Sequence, residues 1–116
     1  LWVEDGNFII IVQSIAFRFY AGLLSMHSAI FEDMFSIAQP DHRETFNGYP
    51  FIRLDDSAQD FSYFLQVILG ITITSPAPLL AGVLRISTKY EATAIRQRYI
   101  KVLHISYPSD LNQWLH

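Results

Sequence analysis

The sequence predicts an α+β domain, a small mixed sheet of about three strands capped by about five to six short helices. Three observations carry this expectation. A β-branched run, Phe8–Val12, passes through the polar pair Gln13-Ser14 into an alternating aromatic segment, Ala16–Tyr20. Two short helical patterns then precede a third strand at Phe51–Leu54. From Phe61 onward the apolar residues recur at helical spacing.

Asp5-Gly6-Asn7 is a turn signal, because Gly and Asn tolerate positive φ. The run behind it reads as a buried strand, and with Ala16–Tyr20 it makes an antiparallel hairpin. Within that second segment Phe17 and Phe19 share one face and Arg18 and Tyr20 the other. Ala21–His27 and Ala29–Ala38 read as helices, with Ser28 between them placed to cap the second. In the second helix Ile30, Phe31, Met34 and Phe35 form the apolar face, with Glu32 and Asp33 outward. Gln39-Pro40 is expected to stop it, and Asp41–Gly48 to form a polar loop ending in Asn-Gly.

Ser57-Ala58-Gln59-Asp60 has the form of a capping box, with Asp60 placed to reach the Ser57 amide. It opens a helix striped by Phe61, Phe64, Leu65 and Ile68, and Gly70 is its natural end. Ile71–Pro78 reads as irregular. Leu80, Val83, Leu84, Ser87 and Tyr90 then make one helical face, and Ile95, Tyr99, Val102 and Leu103 another, with a break near Glu91–Thr93. Pro108 ends that pattern, and Ser109 is placed to cap a last short helix toward Trp114.

At 116 residues the chain is read as a single domain over 1–116, able to bury one core without staples. It starts at Leu1 rather than Met and is taken as a fragment of a longer polypeptide. There are no cysteines, which fits an intracellular protein of the cytoplasm or nucleus. The run Phe8–Val12 falls far short of the roughly 20 apolar residues of a membrane span, so no membrane association is expected. A formal net charge of −3 argues against nucleic acid as the partner. Residues 1–60 hold nine acids and three bases, whereas Arg85, Lys89, Arg96, Arg98 and Lys101 are the bases of residues 61–116. These five read as solvated helix faces.

Only 16% of residues are charged and 51% are hydrophobic, against about 25% and about 45–50% in ordinary soluble domains. A domain this small has much surface, so a charge-poor chain exposes apolar area, and such area marks partner surfaces. Chemistry is not expected, and neither is a cofactor or a metal. His27, His42, His104 and His116 show no metal-ligand spacing. The pairs Glu32-Asp33 and Asp55-Asp56 diverge on a helix and a strand instead of converging as an acid and a base. Gly70 and Gly82 stand alone, and Ser25 and Ser28 lack a nucleophile-elbow context.

Taken in order, several of these segments form one pattern. Asp5-Gly6-Asn7, Phe8–Val12, Phe17-Arg18-Phe19-Tyr20, Leu23-Leu24 and Ser28-Ala29-Ile30-Phe31 follow one another at the spacing of a known family. Phe31-Glu32-Asp33-Met34, the strand end Ile52–Ser57, the helix Phe61–Leu69 and the Leu84–Tyr90 segment LRISTKY continue it. The chain resembles a BTB/POZ domain, in particular the branch common in fungal proteins. Tyr20 stands where the family usually has His, and Leu69-Gly70 is what remains of its Tyr-x-Gly. Members that recruit cullin-type ubiquitin ligase scaffolds carry a hydrophobic-x-Glu element, and Ser36–Pro40 holds no Glu.

The resemblance implies a non-enzymatic protein–protein interaction domain, a scaffold acting by homodimer or heteromer formation. The alternative is a substrate-adaptor module for a cullin-type ligase. It implies an interface around the first short helix and the flanking strand edge, at Leu23, Met26 and His27 with Ala16 and Arg18 nearby. Leu24, Phe31, Phe61, Phe64, Leu84 and Tyr90 are assigned to the core.

Overall fold

The computed structural model describes residues 1–37, 45–71 and 77–106. The expected stop at Gln39-Pro40, the first half of the Asp41–Gly48 loop, most of Ile71–Pro78 and everything from Tyr107 on lie outside the described residues. Backbone contacts divide the chain into two compact units, Leu1–Ala58 and Gln59–His116.

The first unit is built on a three-stranded mixed sheet in the order β2-β1-β3. Its strands are β1 (Phe8–Val12), β2 (Ile15–Phe19) and β3 (Phe51–Leu54). β1 pairs antiparallel with β2, placing Ile10 opposite Phe17, and parallel with β3, placing Ile10 beside Ile52. All five β1 residues are buried, which is why this strand reads as a continuous apolar run instead of an alternating one.

The β1–β2 turn is the two-residue loop Gln13-Ser14, closed by the pair Val12 and Ile15. β2 therefore begins one residue before its expected start at Ala16, and Tyr20 leaves the ladder to open the next helix. Gln13 takes the first central position with φ 57°, a place usually given to glycine. Its side chain reaches far along the chain, Oε1 accepting from the Ala58 N–H at 3.1 Å. That amide is one of the donors a helix start leaves without an intrahelical partner.

After β2 come α1 (Ala21–His27) and α2 (Ala29–Ile37). Asn7 Oδ1 accepts from the Ala21 N–H at 3.0 Å, so the turn before β1 helps cap α1. Ser28 ends one helix and starts the other. Its N–H donates to the Leu24 carbonyl at 3.0 Å, and its Oγ accepts from the Phe31 N–H at 3.2 Å. Phe31 and Phe35 turn inward, and the Phe35 ring meets Phe8 of β1 with centroids 4.4 Å apart. Glu32 and Asp33 are exposed. Before β3, Asn47 (φ 51°) and Gly48 (φ 84°) make a tight turn. Phe46 and Tyr49 exchange two 2.9 Å backbone bonds across it.

In the second unit, α3 (Ala58–Ile68) ends in a left-handed cap at Gly70, φ 77°. The Ile71 N–H reaches the Gln66 carbonyl at 3.1 Å and the Gly70 N–H reaches Val67 at 3.0 Å, the bond pair of a Schellman ending. α4 (Ala77–Lys89) begins inside the stretch expected to be irregular. Pro78 lies in its first turn, where a missing N–H leaves no helix bond unmade. α4 closes with the same bond pair around Glu91 at φ 54°, and α5 (Thr93–Ser106) follows. Leu80, Val83, Ile86, Ser87, Ile95 and Leu103 are buried.

The Asp60 carboxylate, read in the sequence as part of a capping box, has a partner 25 residues away. Both of its oxygens accept from Arg85, at 2.9 and 3.1 Å. Leu24, Phe31, Phe61, Phe64, Leu84 and Tyr90 are each no more than 3% exposed. Burial of each such side chain stabilises by about 1.5–3 kcal/mol.

Candidate functional site

Helix α1 has the sequence AGLLSMH, with no charge beyond His27, and it buries one side chain, Leu24. An ordinary surface helix balances an apolar stripe inward with charges outward. Here the outward side is itself apolar. Met26 is 76% exposed, Gly22 is exposed, and Leu23 and His27 are half-buried. Leu23 and Met26 are three apart, and Gly22 and Met26 four apart, so they are neighbours on the helix surface. Single exposed apolar residues are commonplace. A whole helix without a charged residue on its outer side is less so.

The five residues assigned to an interface fall in two groups. Leu23, Met26 and His27 lie on α1, whereas Ala16 and Arg18 lie on β2, both half-buried. Arg18 is tied down inside the unit. Its Nε donates to the Gly6 carbonyl and an Nη to the Tyr49 hydroxyl, each at 2.8 Å. Its guanidinium also lies 4.5 Å from the Tyr49 ring centroid and 5.8 Å from that of Trp2. Gly6 is required at this contact, because a Cβ there would come 2.9 Å from the Phe19 backbone. Nothing local in the sequence announces the clamp, since Arg18 and Tyr49 are 31 positions apart.

Tyr20 donates its hydroxyl to the Asp5 carboxylate at the surface. That bond holds the phenol above its ordinary pKa, with lesser contributions from desolvation and the Asp5 charge. His27 is half-buried beside Ser28, and His104 is exposed on α5. His42 and His116 lie outside the described residues. Among the described residues no group of three His, Cys, Asp or Glu could hold a metal ion, and no helix is long and apolar enough to cross a membrane.

Comparison with solved structures gives a match to the BTB domain of zebrafish PATZ1, with a TM-score of 0.64. The match covers 84% of this chain and 75% of that one at 14% sequence identity. No protein-family model matches the sequence, and no curated protein matches it. The fold is therefore α+β of the BTB type, a three-stranded mixed sheet with five helices among the described residues.

Proposed function

We propose that this chain is a protein-interaction domain that brings polypeptides together by self-association through α1. The observation that carries the reading is α1 itself, a helix without Asp, Glu, Lys or Arg and with Met26 outward, on a BTB-type fold. Leu23, Met26 and His27 are the centre of the proposed surface, and Ala16 and Arg18 flank it on the strand that leads into the helix. The low charged fraction of 16% supports the same reading, because the chain carries more apolar side chains than its charges can screen. The ordered motifs from Asp5-Gly6-Asn7 to Leu84–Tyr90 support placing it with the fungal-type branch.

Light scattering over a dilution series tests this directly. The expected mass is twice that of the chain at high concentration, falling toward the monomer on dilution. A monomer at every concentration would sink self-association. A pull-down with a cullin N-terminal region addresses the adaptor reading separately, and the Glu-free segment Ser36–Pro40 weighs against capture there.

A further inference from the structure

One face of the sheet carries a second feature, which shares Ala16 and Arg18 with the flank of the proposed α1 surface but includes no residue of the helix. Strand register places Arg18, Ile9 and Phe51 in one row and Ala16, Ile11 and Arg53 in the next, on a single face. Trp2, bridged to Arg18, and Tyr49, two residues before Phe51, extend that face. Phe8, Phe17 and Phe19 point to the opposite face, where Phe35 of α2 packs against Phe8. Ile9 and Ile11 at the centre of this face are buried, and cations and rings alternate around them. Arg18 lies between Trp2 and Tyr49, and Arg53 lies over the Phe51 ring at 5.3 Å.

The distribution of charge gives this face its meaning. Residues 1–58 hold eight acids and three bases, and two of the bases, Arg18 and Arg53, share the face. Neither has a carboxylate partner among the described residues. Asp5, near the rim, takes the Tyr20 hydroxyl. The Arg18 guanidinium uses Nε and one Nη within the unit, and a guanidinium has further N–H donors for a carboxylate. Because Gly6, Tyr49 and Trp2 already fix it, binding costs it little side-chain entropy. Arg53 is exposed and Trp2 is 44% exposed, so cation and ring are both accessible.

We propose that this face docks an acidic peptide segment of a partner protein, its carboxylates meeting Arg18 and Arg53 and its aliphatic stems lying on Trp2 and Phe51. The acids elsewhere in the unit disfavour a long polyanion, so a short acidic stretch fits better than nucleic acid. The proposal does not rest on self-association through α1.

The test is fluorescence anisotropy of a labelled acetyl-hexaglutamate peptide titrated with the full chain. Saturable binding that weakens with salt is expected. Arg53→Glu, at an exposed position, should weaken it about tenfold with the thermal melt unchanged. If charge reversal disturbs the melt, Arg53→Gln provides the same comparison. An Arg98→Glu/Lys101→Glu variant of α5 should bind as the parent does. The proposal is overturned by absence of saturable binding, or by an Arg53 variant with parental affinity. Loss of binding in the α5 variant overturns it too, as does equal affinity for an oligothymidylate of matched charge.

Discussion

Gly82 sits where α4 passes the start of α3, and there is no room for a methyl group. A Cβ at that position would lie 2.6 Å from Asp60 Oδ1 and 3.3 Å from the Asp60 Cα. The carboxylate cannot simply swing aside, because Arg85 holds both of its oxygens. Gly82→Ala should therefore destabilise by about 1–3 kcal/mol, even though alanine is the better helix former. Urea denaturation checks this, and in an Asp60→Ala background the same change should cost less. Gly22 in α1 is the control, with nothing within 4 Å of its Cβ position. Gly22→Ala should stabilise by about 0.5–1 kcal/mol. Tyr20 gives a pH-dependent prediction at the same scale. Its folded-state pKa is raised above 10.0, chiefly by the hydrogen bond to Asp5. The bond's contribution is thus fully present below the ordinary tyrosine pKa and is lost as pH rises through the raised value. In an absorbance titration of tyrosinate, the component missing from Tyr20→Phe should be a late-titrating one, and Asp5→Asn should bring it earlier.

The two helix ends in the second unit share one hydrogen-bond pattern but use different residues at the left-handed position. Gly70, at φ 77°, bears no steric cost there, whereas Glu91, at φ 54°, does. Opposite signs follow. Gly70→Ala should destabilise and Glu91→Gly should stabilise, each by about 1 kcal/mol, read as shifts in denaturation midpoint with unchanged slope. The contrast also shows what a sequence conveys. Gly70 announces a helix end because glycine is the residue the geometry favours, but Glu91 carries no such mark. The bounds of β1, α1 and β3 were legible for a similar reason, since a β-branched run or a Ser28 cap is a local signal. The ties from Gln13 to Ala58, Arg18 to Tyr49 and Asp60 to Arg85 were not. They join positions 45, 31 and 25 residues apart, and their partners are fixed by strand register and helix packing. The candidate surface was half legible: the apolar content of α1 is written in its letters, but the aromatic clamp on Arg18 emerges only when Trp2 and Tyr49 converge on it.

For the molecule as a whole, the deciding quantity is how much apolar surface the chain leaves open and where. Leu1, Trp2, Ile15, Met26, Ile37 and Ile71 are the large apolar residues exposed among those described, and Met26 is the most exposed of them. If α1 is covered in a dimer, Met26 passes from 76% exposed to buried once on each protomer, because a two-fold interface uses the same patch twice. Burying a methionine side chain is worth about 1.5–3 kcal/mol. The two copies lost in a symmetric Met26→Ala dimer should therefore raise the dissociation constant by about a hundredfold or more. Met26→Glu should go further, since it would place two carboxylates in the same apolar contact. Both variants leave Leu24 and the rest of the buried set untouched, so the thermal melt extrapolated to low concentration should match the parent's. Sedimentation velocity on parent and variants over a hundredfold concentration range measures the shift. A parental dissociation constant in Met26→Glu would place the contact elsewhere on the molecule, and a lowered melt at every concentration would mean that Met26 acts within the fold instead.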